Sequence, residues 1–276
     1  MNPAFSPHKP KTRTLRSELM FPASVRPHFD RSARRNMSVF LVFALPLLTG
    51  EGPLDAALSA TEAPATLRAA FTVEMISDRA ERTLTFDPRR PKGEQWKLED
   101  WKGEDAELDA AATSWGAELA PDGRLFPDDL RASLGQSIEV DDLGQAWRVA
   151  FRHAPSENDT ALDIWATQRL DAVAWLEPSE GRFIRIDYDL NKPVRHPNGG
   201  KLTRFEQTYL LESEPIWGLT YVSEFLLEFE AKAGFKTIRQ SYRATVTDAT
   251  FFFSSSAAED QYVEKQLTAG ARFAAR

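Results

Sequence analysis

The stretch Ile184-Arg185-Ile186-Asp187-Tyr188-Asp189-Leu190 decides the fold class of this chain. Apolar residues at 184, 186, 188 and 190 alternate with charged ones at 185, 187 and 189. A period of two places successive side chains on opposite faces of an extended strand, one face buried and the other wet. Just upstream, Glu177-Pro178-Ser179-Glu180-Gly181 has Pro and Gly where a hairpin turn requires them. Val173 and Trp175 lead into that turn, so the runs on either side of it are expected to pair as antiparallel neighbours.

The same period recurs on both sides. Upstream it shows in Phe71, Val73 and Met75, in Arg82 to Phe86 before Asp87-Pro88, in a short run from Trp96 to Trp101, and in Trp147, Val149 and Phe151. Downstream, the loop His196-Pro197-Asn198-Gly199-Gly200 is followed by Phe205, Gln207, Tyr209 and Leu211. A turn at Glu214-Pro215 precedes Tyr221, Phe225, Leu227 and Phe229, and Gly234 precedes a long run with Ile238, Tyr242 and Val246. Residues 104–134 break the pattern: Leu108, Ala111, Ala112 and Trp115 fall at helical spacing, and Gly116 interrupts. Pro127 can open a second short helix through Leu130 and Leu134 that stops at Gly135. Asp141-Asp142-Leu143-Gly144 reads as a turn, and 160–170 is open between strand and helix.

Consecutive hairpins need no crossover helices, so a mainly β (α+β) fold is expected: a curved antiparallel meander or half-open β-barrel with a short helical lid. A single β-rich domain over 61–253 carries the helical insertion at about 104–134, and 254–276 forms a polar tail, ending in a helix. Two short helices are too little to cover so wide a sheet, which leaves either a partly filled cavity or a packed core beneath them.

In this order the chain resembles the periplasmic lipoprotein-carrier superfamily, which includes the lipoprotein-localisation carriers. The resemblance is at the level of the fold, spans about residues 67–253, and is most motif-like from Trp175 through Glu177-Pro178-Ser179-Glu180-Gly181-Arg182 to Tyr188. It implies a half-barrel whose helices lie as a lid over an apolar cavity that takes acyl chains. The chain differs from the carriers in its greater length and in lacking an obvious long first helix.

The first 60 residues form a targeting segment. Arg26, Arg31, Arg34 and Arg35 precede the apolar run Val39 to Leu48, and small residues follow at Ala56-Ala57-Leu58-Ser59-Ala60. A basic region, a short apolar region and a small-residue region make a secretory signal, with cleavage expected after Ser59 or Ala60. The apolar run is too short to span a bilayer, so no stable membrane anchor and a periplasmic or secreted product are expected. With no cysteine in the chain, a disulfide framework, a thiol nucleophile and an acylated cysteine are all excluded. Residues 61–276 hold 34 − 8 = 26 basic and 41 − 4 = 37 acidic residues, and that acidic excess repels nucleic acid.

No cofactor, metal site or catalytic residue is read from the chain. His153 and His196 have no helical ligand pairing, no Gly-x-Ser-x-Gly elbow is present, and Asp187 and Asp189 alternate with the apolar stripe toward solvent. The candidate ligand-binding residues are Trp115, Trp147, Phe151, Trp175, Ile186, Tyr188, Tyr209, Phe225 and Phe229, all on the expected inner phase. Three functions stay open at this point. The first is an exported protein binding a lipid, an acyl chain or a lipidated partner; the second is an envelope protein-interaction or sensor module. The third is a hydrolase of envelope glycans or esters.

Overall fold

The computed structural model describes residues 57, 63–118, 120–126, 134–154, 161–179, 181–196, 199–214 and 216–274. The expected signal segment, apart from Ala57, and residues 127–133 of the expected second helix lie outside them. Among the described residues, eleven strands form one sheet: β1 (Leu67–Ile76), β2 (Ala80–Phe86), β3 (Trp96–Gly103), β4 (Leu134–Asp142), β5 (Trp147–His153), β6 (Asp171–Glu177), β7 (Arg182–Asp189), β8 (Val194–Arg195), β9 (Gly200–Glu214), β10 (Leu219–Ala233) and β11 (Lys236–Phe253). Helix α1 (Ala106–Gly116) and a 3-10 turn (Pro121–Leu125) lie between β3 and β4, α2 (Ala161–Thr167) between β5 and β6, and α3 (Ser256–Ala274) follows β11.

The strand order is β3-β2-β1-β11-β10-β9-β7-β6-β5-β4, with the short β8 beside β9. Every described pair is antiparallel. The sheet stays open, with β3 and β4 at its two edges. From β4 to β11 the chain follows the expected meander, with β8 set aside. The first three strands depart from it, because β1 pairs with β11, the last strand, from Leu67↔Phe253 to Ile76↔Arg243. β3 and β4, neighbours in sequence, therefore stand at opposite edges, and the segment carrying α1 connects them.

Several strands carry one residue more than their partner. Glu99, Ile184, Thr203, Ser223 and Thr247 are the unpaired residues at five of these register shifts. A bulge of this kind bends its strand and raises the local twist, which is how so wide a sheet curls without closing. On the inner face a continuous apolar core runs from Phe71, Val73 and Phe86 through Phe225 and Leu227 to Ile186, Leu176 and Val149. Burying each such side chain contributes about 1.5–3 kcal/mol.

The helices cover that face unevenly. Asp105 caps α1 by accepting from the Glu107 and Leu108 amides, and the helix buries Leu108, Ala111, Ala112 and Trp115, the stripe expected from the sequence. That stripe lies against β1 and β11. The 3-10 turn is tied to β1 through buried Asp122, which accepts from Arg68 Nε at 2.6 Å, Arg68 Nη2 at 3.0 Å and the Ala69 amide at 3.1 Å.

One expectation needs correction, and two open segments are resolved. Leu134 and Gly135 do not end a helix; they open strand β4, where Leu134 pairs with His153 on β5 and is buried. The helix expected in the polar tail after 254 spans nearly all of it. α3 starts at Ser256, with Ser255 Oγ accepting from the Ala258 amide, and its Tyr262 packs on Phe253 and Trp217. The ambiguous 160–170 segment is helical over Ala161–Thr167.

Candidate functional site

The long ribbon of β9, β10 and β11 reaches past the hairpin of β1 and β2. β1 pairs with β11 only from Arg243 onward, so Lys236 to Tyr242 pair with β10 on one side alone. The turn Ser77–Arg79 and the first turn of α1 stand against that open stretch and enclose a cleft of about 680 Å³. Such a volume falls within the range of small-ligand sites, about 300–1,000 Å³.

The cleft is graded in polarity. Its rim carries Asp78 and Arg79 from the turn, Glu107 from the helix, and Thr237, Arg239 and Ser241 from the strand, all exposed except Ser77 beside them. Its apolar members, Leu108 and Tyr242, are both buried. Burial pushes the Tyr242 hydroxyl up to about 12, so it stays neutral and able to donate throughout the physiological range. Burial works against the Asp105 carboxylate as well. Hydrogen bonds from Ser77 Oγ at 2.8 Å and from the Leu108 and Glu107 amides, with Arg79 at 3.2 Å, outweigh it and hold Asp105 below its ordinary value. The cap is therefore an ionised group already saturated by its neighbours. Two exposed guanidiniums, Arg79 and Arg239, remain at the rim on opposite walls, paired with Asp105 and Glu230.

Behind Tyr242 the inner face continues as a chain of rings. Tyr242 stands 5.7 Å from Phe225, and Phe225 stands 5.1 Å from Tyr209. Tyr209 is in register with Phe225 on one side and with Ile186 on the other. Tyr188 follows two residues along from Ile186, and Phe151 meets it edge-on at 5.9 Å. Phe229 lies edge-on to Phe205 at 6.5 Å. Trp147, half-buried, shares the phase of Val149 and Phe151 and pairs with Leu176. Ile186, Tyr188, Phe151 and Phe225 are buried, whereas Tyr209, Phe229 and Trp147 keep part of their surface in solvent.

Trp115 and Trp175 are placed differently from the other candidates. Trp115 stacks on Phe71 at 5.7 Å, meets Trp96 at 5.6 Å and donates Nε1–H to the Pro121 carbonyl at 3.0 Å, so it is a packed part of the lid. Trp175 belongs to the outer face, which corrects the expectation that it lies on the inner phase. In β6 the buried residues are Ala172, Ala174 and Leu176. Trp175 pairs with Arg185 and donates Nε1–H to Asp187 Oδ2 at 3.0 Å, on the polar side. Asp187 also accepts from Arg185 Nε and from Thr208 Oγ1, each at 2.8 Å. The phase of β7 shifts for a related reason: Leu176 pairs with Phe183 and Trp175 with Arg185, leaving Ile184 as a bulge, and Phe183 takes the fully buried place.

Neither His153 nor His196 lines the cleft. His153 packs edge-on to Tyr188 and His196 edge-on to Trp165. Tyr242 and Leu108, which line the cleft, were legible as strand and helix positions but not as site residues. Their role depends on β11 outrunning β1, a long-range register that local periodicity does not carry.

No protein-family profile and no curated protein sequence matches this chain. Two solved structures are similar to it. One is an outer-membrane lipoprotein-sorting protein domain from Vibrio parahaemolyticus, at 10% identity and a TM-score of 0.34, covering 78% of this chain and 97% of that one. The other is a LolA superfamily protein from Nitrosomonas europaea, at 9% identity and a TM-score of 0.34, covering 72% of this chain and 91% of that one.

Proposed function

We propose that this chain is an exported binding protein of the cell envelope that holds an acyl chain, free or on a lipid or lipidated partner, without covalent chemistry. One observation carries the reading. The cleft beside α1 passes from a charged rim to buried Leu108 and Tyr242, and Tyr242 opens the ring series that continues through Phe225, Tyr209 and Phe229. That gradient matches an amphiphile. An anionic head would sit between Arg79 and Arg239, and its chain would run along the partly open rings, displacing water from them.

Burial of successive methylenes supplies the affinity, so binding should strengthen by roughly fourfold per added CH₂ until the face is filled. The test is a titration of the purified protein with fatty acids of increasing chain length, read by tryptophan fluorescence and by native mass spectrometry of envelope-derived material. Saturable shifts that grow with chain length, weakened in Arg79→Ala/Arg239→Ala, support the reading. If no fluorescence change occurs at any length and no lipid co-purifies, it is wrong.

A second reading rests on the sheet edges. Leu98 and Trp101 on β3, and Ile138 and Val140 on β4, are exposed on strands that pair on one side only. Unpaired apolar edges are docking sites for another protein. Lipid-free protein that captures a partner through Ile138 and Val140 would favour this reading over the first.

A further inference from the structure

The β9–β10–β11 ribbon has two ends of opposite character. At one, the β9–β10 turn carries exposed Ile216 between acidic Glu212 and Glu214 on one side and half-buried Trp217 on the other. α3 covers it, since Tyr262 packs on Trp217 at 6.2 Å and its hydroxyl donates to the Trp217 carbonyl at 3.2 Å. At the other end, the two-residue turn Gly234-Phe235 joins Ala233 to Lys236, and Phe235 is the most exposed large apolar residue among those described.

The chain segments that form this end are basic. Residues 192–201 and 231–239 contain Lys192, Arg195, Lys201, Lys232, Lys236 and Arg239 and no acidic residue, in a chain whose residues 61–276 carry an acidic excess. Three of these are aligned by the ladder: Arg195 is in register with Lys201, and Lys201 with Lys232. Residues in register share a face, with neighbouring strands about 5 Å apart, so the three charges form one stripe leading to the turn. None of the three makes an ion pair within 4 Å among the described residues, although Lys232 acts electrostatically on Glu230. Like charges set side by side destabilise a fold slightly, which makes such a stripe unfavourable unless an anionic surface neutralises it.

We propose that the Phe235 turn and the Arg195–Lys201–Lys232 stripe form a docking tip for an anionic phospholipid surface, with the Phe235 ring entering the headgroup boundary. Basic residues around one exposed aromatic satisfy both terms of interfacial binding, attraction to anionic lipid and burial of apolar area. The acidic Ile216 end would be repelled, so the ribbon approaches with its Phe235 end. Thr237 and Arg239, two and four residues beyond Phe235, line the cleft, so docking here sets the cleft mouth next to the membrane. The inference stands whether or not the inner face holds an acyl chain.

The experiment is flotation of the full chain with vesicles of phosphatidylcholine alone or mixed with phosphatidylglycerol, across a salt series. Expected are binding to the mixed vesicles only, and loss of that binding as salt rises. Each basic residue near the surface is worth about fivefold, so Lys201→Gln/Lys232→Gln/Lys236→Gln should weaken binding on the order of a hundredfold. Phe235→Ser should weaken it by about tenfold or more. Phe235, Lys232 and Lys236 are exposed and Lys201 is half-buried, all outside the core, and circular dichroism matching the parent confirms the fold of both variants. Equal binding to neutral vesicles, or unchanged binding by the triple variant, overturns the proposal. So does full competition by soluble glycerophosphoglycerol, which would mean a headgroup pocket, or Lys-dependent capture of an acidic protein with vesicles ignored.

Discussion

Tyr242 and Phe225 meet diagonally across the β10–β11 ladder, ring centroids 5.7 Å apart, while Tyr242 pairs in register with Leu227 and Phe225 with Ala244. This contact joins the polar-rimmed cleft to the rest of the inner face. A side chain that is buried against one strand and faces a cleft on the other serves both packing and access.

The Tyr242 hydroxyl gives the protein an alkaline limit. Its value rises from 10.0 to about 12, chiefly through burial, and Tyr221 on β10 rises likewise to about 12 through burial and the nearby Glu212. Between those values the folded state holds protons that the unfolded state has lost. The stability linked to these groups is therefore complete below pH 10 and disappears as pH rises toward about 12. Denaturation followed against pH should show this loss in the parent chain and a smaller one in Tyr242→Phe. Equal alkaline loss in the variant would mean that Tyr242 is not shielded as described.

The two faces of the β6–β7 hairpin can be told apart by substitution. Ile186→Ala empties a fully buried position and should cost about 2–5 kcal/mol. Trp175→Ala removes an outer-face ring with one hydrogen bond to Asp187, and the loss of that bond is worth about 1 kcal/mol. Urea denaturation of the two variants checks the order. A larger loss for Trp175→Ala would return that ring to the inner face.

Asp122 anchors the 3-10 turn beneath the lid. Its removal leaves the buried Ala69 amide without its acceptor and Arg68 without its partner. Because Arg68 keeps about a third of its side chain in solvent, Asp122→Ala should cost about 2–3 kcal/mol, below the range for a fully buried pair. Hydrogen exchange is the sharper readout: protection should fall first at Ala69 and in residues 121–126.

Gly116 is held at the end of α1 by a neighbouring ring. A Cβ added there would lie 2.2 Å from Trp96 Cδ1. Gly116→Ala must therefore displace the Trp96 indole from its contact with Trp115, at about 1–3 kcal/mol, despite alanine's better helix propensity. Thermal denaturation, with near-UV circular dichroism for the indole pair, would register both changes. A stabilised variant would show that the ring is free to move.

By itself the sequence determined whatever is encoded within a few residues. The alternation of Ile186 and Tyr188 with Arg185 and Asp187 specified a half-buried strand, because the pleat allows no other period. Glu177 to Gly181 specified the hairpin: Gly181 adopts φ 62°, and its amide donates to the Glu177 carbonyl at 2.8 Å. Leu108, Ala111, Ala112 and Trp115 specified one buried helix face. Only the tertiary structure decided where those pieces meet. Trp175 faces outward because Ala174 and Leu176 fit the closely packed inner side, and Ile184 bulges so that Phe183 can reach it. The cleft, its Tyr242 and the exposed Phe235 tip exist because β11 outruns β1. That length difference is set by pairing between opposite ends of the chain, a register that neither strand specifies alone.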